Sequence, residues 1–194
     1  MPAVVVPKGA LSFGAGALFY SNLGAATAPT NTVAGSVFTD AMAAGWNLLG
    51  VSREGHTLNV EYESDTVEAA EYLDPLLNVI TSRNIGMEVD LMQIHMTNFK
   101  RVFNGGTLST SGSGATLLST YTLPKIGQEV RCQLAWEASD YTERWWGMQC
   151  FQVGEVSIQR RKGSDNASLP VTFNMEPDGS GEPIYFASAG TTRG

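Results

Sequence analysis

Apolar residues recur at every second position in four separate stretches of this 194-residue chain: Leu58–Val60–Tyr62, Ile85–Met87–Val89–Leu91, Val130–Cys132–Leu134–Trp136 and Leu169–Val171–Phe173–Met175. Successive side chains of an extended chain point to opposite faces, so a strict period of two is the signature of half-buried β-strands. The residues between them are polar, among them Asn59, Glu61 and Glu63, then Gly86, Glu88 and Asp90. Further strand candidates are Leu18 to Tyr20, Leu76 to Thr81, Arg144 to Val153 (apolar on both parities, as in a central strand), Val156 to Ile158 and Ile184 to Ala187. The triplet Ser82-Arg83-Asn84 reads as a hairpin turn between Leu76–Thr81 and the strand that follows. Leu91, Ile94, Phe99, Val102 and Phe103 share one face at helical spacing, and Asn104-Gly105-Gly106 supplies residues that tolerate the left-handed conformation, which predicts a helix near 92–104. The expected fold is therefore mainly β, a β-sandwich or barrel-like domain with one flanking α-helix.

Two stretches lack either period. Residues 9–45 are mostly small, and a long stretch without a repeat inside a compact domain usually reaches a partner, so residues 1–45 read as an N-terminal arm with extended loops and residues 46–194 as the β-domain. Residues 106–116, GTLSTSGSGAT, read as a flexible polar loop.

Charge is distributed unevenly. Between Glu54 and Asp90 there are nine acidic residues and one basic residue, Arg83, so this block sums to −8 in a chain whose net charge is −7. Nucleic-acid binders cluster Lys and Arg, so an acidic block on strands is suited to repelling a phosphate backbone rather than holding one. Only 16% of the residues are charged, while Gly, Ala, Ser and Thr are abundant, a balance that suits a surface covered by neighbouring molecules.

Little in the sequence points to catalysis, a metal or a cofactor. His56 and His95 are the only imidazoles, no Cys or His spacing matches a zinc site, and Cys132 and Cys150 sit in apolar runs that predict buried, reduced thiols. Glu61 and Glu63 share one strand face and could oppose Glu88 or Asp90 as a glycosidase carboxylate pair, but no aromatic residue lines that face. Trp136, Trp145 and Trp146 lie in the most apolar strands and are expected in the core or an interface rather than on a sugar-binding platform. Asp178 to Glu182 is oxygen-rich but lacks the spacing of a calcium loop. The opening MPAVVVPKG is too short an apolar run for a signal peptide, and no stretch approaches the ~20 apolar residues of a membrane span.

The order of these pieces resembles the major tail tube proteins of long-tailed bacteriophages. The resemblance is carried by VVVPKG and ALFYSNLGAATAP near the N-terminus, by WNLLGVSREGHTLNVEYE (46–63) with its W-x-x-L-G opening, by EVDLMQIHMTNFKRVFNGG (88–106), a strand followed by a short helix ending in glycine, and by the closing SLPVTFNMEPDGSGEPIYF (168–186). It implies a β-sandwich tail-tube domain that assembles as homohexameric rings stacked into a hollow tube, without catalytic or cofactor sites. It further implies a place in the virion after assembly in the bacterial cytoplasm, and contacts with the tape measure, tail terminator and distal tail proteins. DNA would pass through the lumen without specific binding, and no membrane is involved. On this reading Glu61, Glu63, Glu88 and Asp90 are the expected lumen-facing carboxylates. The alternatives are a carbohydrate-binding or glycoside-hydrolysing β-sandwich and a capsid decoration protein.

Overall fold

The computed structural model describes residues 16–67, 77–158 and 168–190, and is mainly β with one α-helix. The strands are β1 (Gly16–Asn22), β2 (Val33–Ala34), β3 (Val37–Phe38), β4 (Asn47–Leu48), β5 (Ser52–Val67), β6 (Leu77–Leu91), β7 (Thr107–Ser111), β8 (Leu118–Thr122), β9 (Cys132–Ala138), β10 (Glu143–Val153), β11 (Leu169–Met175) and β12 (Tyr185–Ser188), and the helix is α1 (Met96–Val102). Eight of them form one sheet in the order β4-β1-β9-β10-β11-β6-β5, with β12 pairing the first half of β10 and β11 the second. Every pairing in this sheet is antiparallel.

The sheet curls around its apolar face. His56 of the edge strand β5 reaches across to Trp136 and Trp145 of β9 and β10, with ring centroids 5.4 and 5.3 Å apart. The interior is filled by the every-second-residue sets, including Met87, Val89, Leu134, Trp136, Val171 and Phe173. Phe99 and Val102 of α1 close the open side, and the Phe99 ring meets Phe103 and Tyr121. The helix begins later than its apolar spacing predicts because Met92 donates its amide to the Val51 carbonyl, so the chain leaves β6 still extended. Its end follows the sequence: Asn104, Gly105 and Gly106 all have positive φ, and a side chain at Gly106 would strike the Thr122 carbonyl.

The reverse face of the central strands is also covered. All seven residues of β9 are buried, including Gln133 and Glu137, because residues 26–40 run across them. Gln133 binds both the amide and the carbonyl of Ala26, at 3.0 and 3.2 Å. Arg144 pairs with Glu137 at 2.5 Å, donates to the carbonyls of Thr30 and Asp40, and lies 4.5 Å over the Phe38 ring. The N-terminal segment expected to be an arm lies in part outside the described residues. Within its described part, Gly16–Asn22 forms a seven-residue ladder with β9 and residues 26–40 form this cover.

Two further expectations are corrected. Ser82-Arg83-Asn84 is not a turn: β6 runs unbroken from Leu77 to Leu91 and pairs with β5, with irregularities between Ser52 and His56 and at the Glu63–Ser64 step. The triplet has no glycine or proline to force reversal, and β-branched Val79, Ile80 and Thr81 extend the strand before it. Residues 107–111 are not a loop but β7, paired in full register with β8; alternating Ser and Thr serve well in a strand exposed on both faces. The acidic residues Glu68, Glu71 and Asp74 of the block lie outside the described residues.

Candidate functional site

The β5–β6 hairpin has two unequal halves. Near the body, Ile85, Met87, Val89 and Leu91 are buried against the core. Beyond it, residues 59–67 and 77–84 are exposed on both faces, forming a two-stranded ribbon that overhangs the sheet by roughly 23 Å at the usual rise per strand residue. An isolated two-stranded ribbon is marginal in water. This one nevertheless exposes Tyr62 (59%), Leu77 (60%) and Ile80 (63%) along with Val60, Val67 and Val79.

The register fixes which face carries the acids. Thr57 opposes Glu88, Asn59 opposes Gly86, Glu61 opposes Asn84 and Glu63 opposes Ser82. Directly opposed residues share a face, so Glu61, Glu63, Glu88 and Asp90 lie on one side of the sheet. Glu88 and Asp90 sit over the body, beside Thr172 and Pro170 of β11, and Glu61 and Glu63 continue the strip along the ribbon. Tyr62, Val60 and, past the bulge, Ile80 lie on the other side, in line with the core residues.

Each carboxylate is opposed across its ladders by a neutral residue, which spaces the negative charges. Asn59 donates to Glu88 at 3.0 Å and Ser82 to Glu63 at 2.8 Å. One carboxylate oxygen of Asp90, Oδ1, is buried without a hydrogen-bond partner among the described residues. Among the described residues no group of three or more His, Cys, Asp or Glu is placed to hold a metal ion.

The other residues singled out by the sequence fall into the framework. Trp136, Trp145 and Trp146 are buried, so they form no exposed aromatic platform. Trp145 donates its indole N–H to His56 Nε2 at 3.3 Å, and burial holds the imidazole below its usual pKa. Cys132 and Cys150 are free, buried and opposite one another on β9 and β10; burial pushes the Cys150 thiol up to about 12 and Cys132 well above its ordinary value. Asp178 closes its own turn, accepting from the Ser180 amide and the Tyr185 hydroxyl at 2.8 Å each.

A second surface feature was not signalled by any motif. A groove of about 790 Å³ lies between the end of α1, the foot of the β7–β8 hairpin and residues 122–131. Lys100, Lys125 and Arg131 line it, together with Leu23, Leu123 and Val130. These residues are spread over more than a hundred positions, so only the fold brings them together.

The chain matches no known family model, and a search of curated proteins finds no significant match.

Proposed function

We propose that this chain is a structural subunit that assembles with copies of itself into a hollow tube, the major tail tube protein of a long-tailed phage. The observation that carries this reading is the β5–β6 ribbon, an overhanging hairpin with Val60, Tyr62 and Ile80 on one side and Glu61, Glu63 and Asp65 with Val67, Leu77 and Val79 on the other, both sides exposed among the described residues. Apolar surface of this extent on an element too thin to have a core of its own is suited to burial against another molecule. The outer edge of β5, a strand of 16 residues, pairs with no other strand among the described residues and offers a template for a neighbour. Identical subunits joined head to tail close into rings when the rotation permits, and stacked rings make a conduit.

The acidic strip gives the conduit its chemistry. Glu61, Glu63, Glu88 and Asp90 facing the bore repel the phosphates of DNA in transit, the reverse of the attraction that makes DNA binding strong and salt-dependent. Homohexameric rings, caps formed by the tape measure, terminator and distal tail proteins, and residence in the virion belong to the same proposal. Sedimentation velocity and negative-stain imaging of the purified protein test it: rings or hollow polymers should appear as concentration rises. A chain that remains monomeric at all accessible concentrations defeats it.

A further inference from the structure

We infer that the groove beside α1 is the seat for the β5–β6 ribbon of a second copy of this chain, an assignment that rests on the self-assembly reading. The two surfaces are unsatisfied in complementary ways. The groove exposes Leu23, Leu123 and Val130, each about half accessible or more, and at its rim Ile126 is 99% exposed. The ribbon offers Val60, Tyr62 and Ile80 on one side and Val67, Leu77 and Val79 on the side that carries Glu61, Glu63 and Asp65.

Charge favours the same pairing. Lys100 and Lys125 line the groove, while its one carboxylate, Glu129, is turned into its own loop and accepts from the Gly127 amide at 2.8 Å. Arg131 is already engaged by Glu176. The ribbon carries Glu61, Glu63 and Asp65, and its one described cation, Arg83, pairs with Glu182. An acidic ribbon beside two lysines gains on-rate and orientation from complementary potentials, while the apolar contact supplies the burial.

The seat is also built in advance. Tyr121 donates its hydroxyl to the Gly105 carbonyl at 2.8 Å, the Val130 amide binds the Asn104 carbonyl at 2.8 Å, and the Gln128 amide closes the turn onto Lys125 at 2.9 Å. Side chains at Gly105 or Gly106 would collide with Val130 or Thr122, so the groove floor depends on bare backbone there. A surface that is already ordered loses little freedom on binding. With insert and seat on each chain, copies join head to tail; in this arrangement Glu61 and Glu63 meet the groove lysines, and Glu88 and Asp90, over the body, are left to line the bore.

The test is a charge exchange read as the critical concentration for assembly. Lys100→Glu with Lys125→Glu, and separately Glu61→Lys with Glu63→Lys, should each raise that concentration about tenfold, the effect of roughly 1.4 kcal/mol. Combining all four substitutions should bring it back toward the wild-type value. All four side chains are exposed, and circular dichroism with thermal melts verifies that each variant is folded. Carbodiimide cross-linking of mixed isotopically light and heavy wild-type protein should join Lys100 or Lys125 peptides to Glu61, Glu63 or Asp65 peptides across the two labels. If the wild type assembles and the groove variant does so at the same concentration, or if such cross-links occur only within one label, the seat is wrong while self-assembly stands. A wild type that never assembles removes both.

Discussion

The two ends of the β5–β6 hairpin are built from the same kind of sequence and have opposite fates. At the body end, Met87, Val89 and Leu91 alternate with Glu88 and Asp90 and are buried; at the far end, Val60, Tyr62 and Ile80 are set among acidic and polar residues and are exposed. Alternation specifies which side of a strand is apolar, and only the tertiary fold decides whether anything covers that side. The difference separates residues that hold the monomer together from residues available to a neighbour.

The widest gap should appear when an aromatic side chain is truncated in the body and on the ribbon. Phe173→Ala, at a fully buried position in β11, should cost about 3–5 kcal/mol of stability, whereas Tyr62→Ala on the ribbon should stay within about 0.5 kcal/mol. Urea unfolding of the two variants checks this. A Tyr62 variant as unstable as the Phe173 variant would mean that the ribbon packs on its own subunit.

The reverse face of the body provides the next contrast, because polar residues are buried there and exposed on the ribbon. Arg144→Met leaves the Glu137 carboxylate buried without its cation and should cost about 3–5 kcal/mol. Adding Glu137→Leu should recover most of the loss, since a well-packed apolar pair can replace a buried ion pair. Breaking the exposed Arg83–Glu182 pair by Arg83→Met should cost at most about 1 kcal/mol. If Arg144→Met unfolds at the wild-type midpoint, residues 26–40 are not held by this guanidinium.

A smaller effect is expected where the hairpin meets the body. His56 accepts from Trp145, and burial lowers its pKa from the ordinary 6.5. The unfolded chain therefore takes up the proton first, so this group's contribution is present above about pH 6.5 and is lost as the pH falls toward the depressed folded value. The loss is at most about 1.4 kcal/mol per pH unit for a single proton. His56→Phe should flatten the thermal midpoint between pH 7 and 5, and an unchanged pH profile would show that His56 does not titrate between the two states.

The sequence made the core strands legible because each turns one set of alternate residues to the core, and the sets on β6, β9 and β11 appear there as their spacing predicts, save Val130, which precedes β9 and is exposed. It did not reveal features that depend on a second layer. Residues 26–40 have no period because they lie across β9 as irregular chain broken only by the two-residue strands β2 and β3, and Gln133 and Glu137 alternate with apolar residues although both are buried beneath that cover. Ser82-Arg83-Asn84 carries turn-like residues, but its ladder to Glu61–Glu63 holds it extended. Asn104 was read only as a helix stop, whereas its side chain also pairs with the backbone of Gln152 at 2.8 and 2.9 Å, tying α1 to the end of β10. The four carboxylates could be placed on one face from parity alone, but the groove beside α1 could not, because its lining comes from four unconnected stretches of chain.

The smallest expected change in stability accompanies a sharp test of the acidic strip. Glu88 is exposed, accepts one hydrogen bond from Asn59, and sits over the body rather than at the proposed docking seat. Glu88→Lys should therefore leave the unfolding free energy within about 0.5 kcal/mol of wild type and still allow tubes to form. It also changes the charge of every subunit by two units, and in the proposed conduit the altered charge would repeat at each ring, felt over a screening length of about 8–10 Å. In the proposed conduit the strip would then sum to −2 rather than −4 per subunit, and the lysine repeated at each ring would give passing phosphates a local contact that weakens as salt screens it. Particles carrying the variant should eject DNA more slowly than wild type at low ionic strength and recover as salt is raised. Ejection at the wild-type rate at every ionic strength would place Glu88 on the outer wall or between rings, and would leave the ribbon, not the acidic strip, as the functional part of the hairpin.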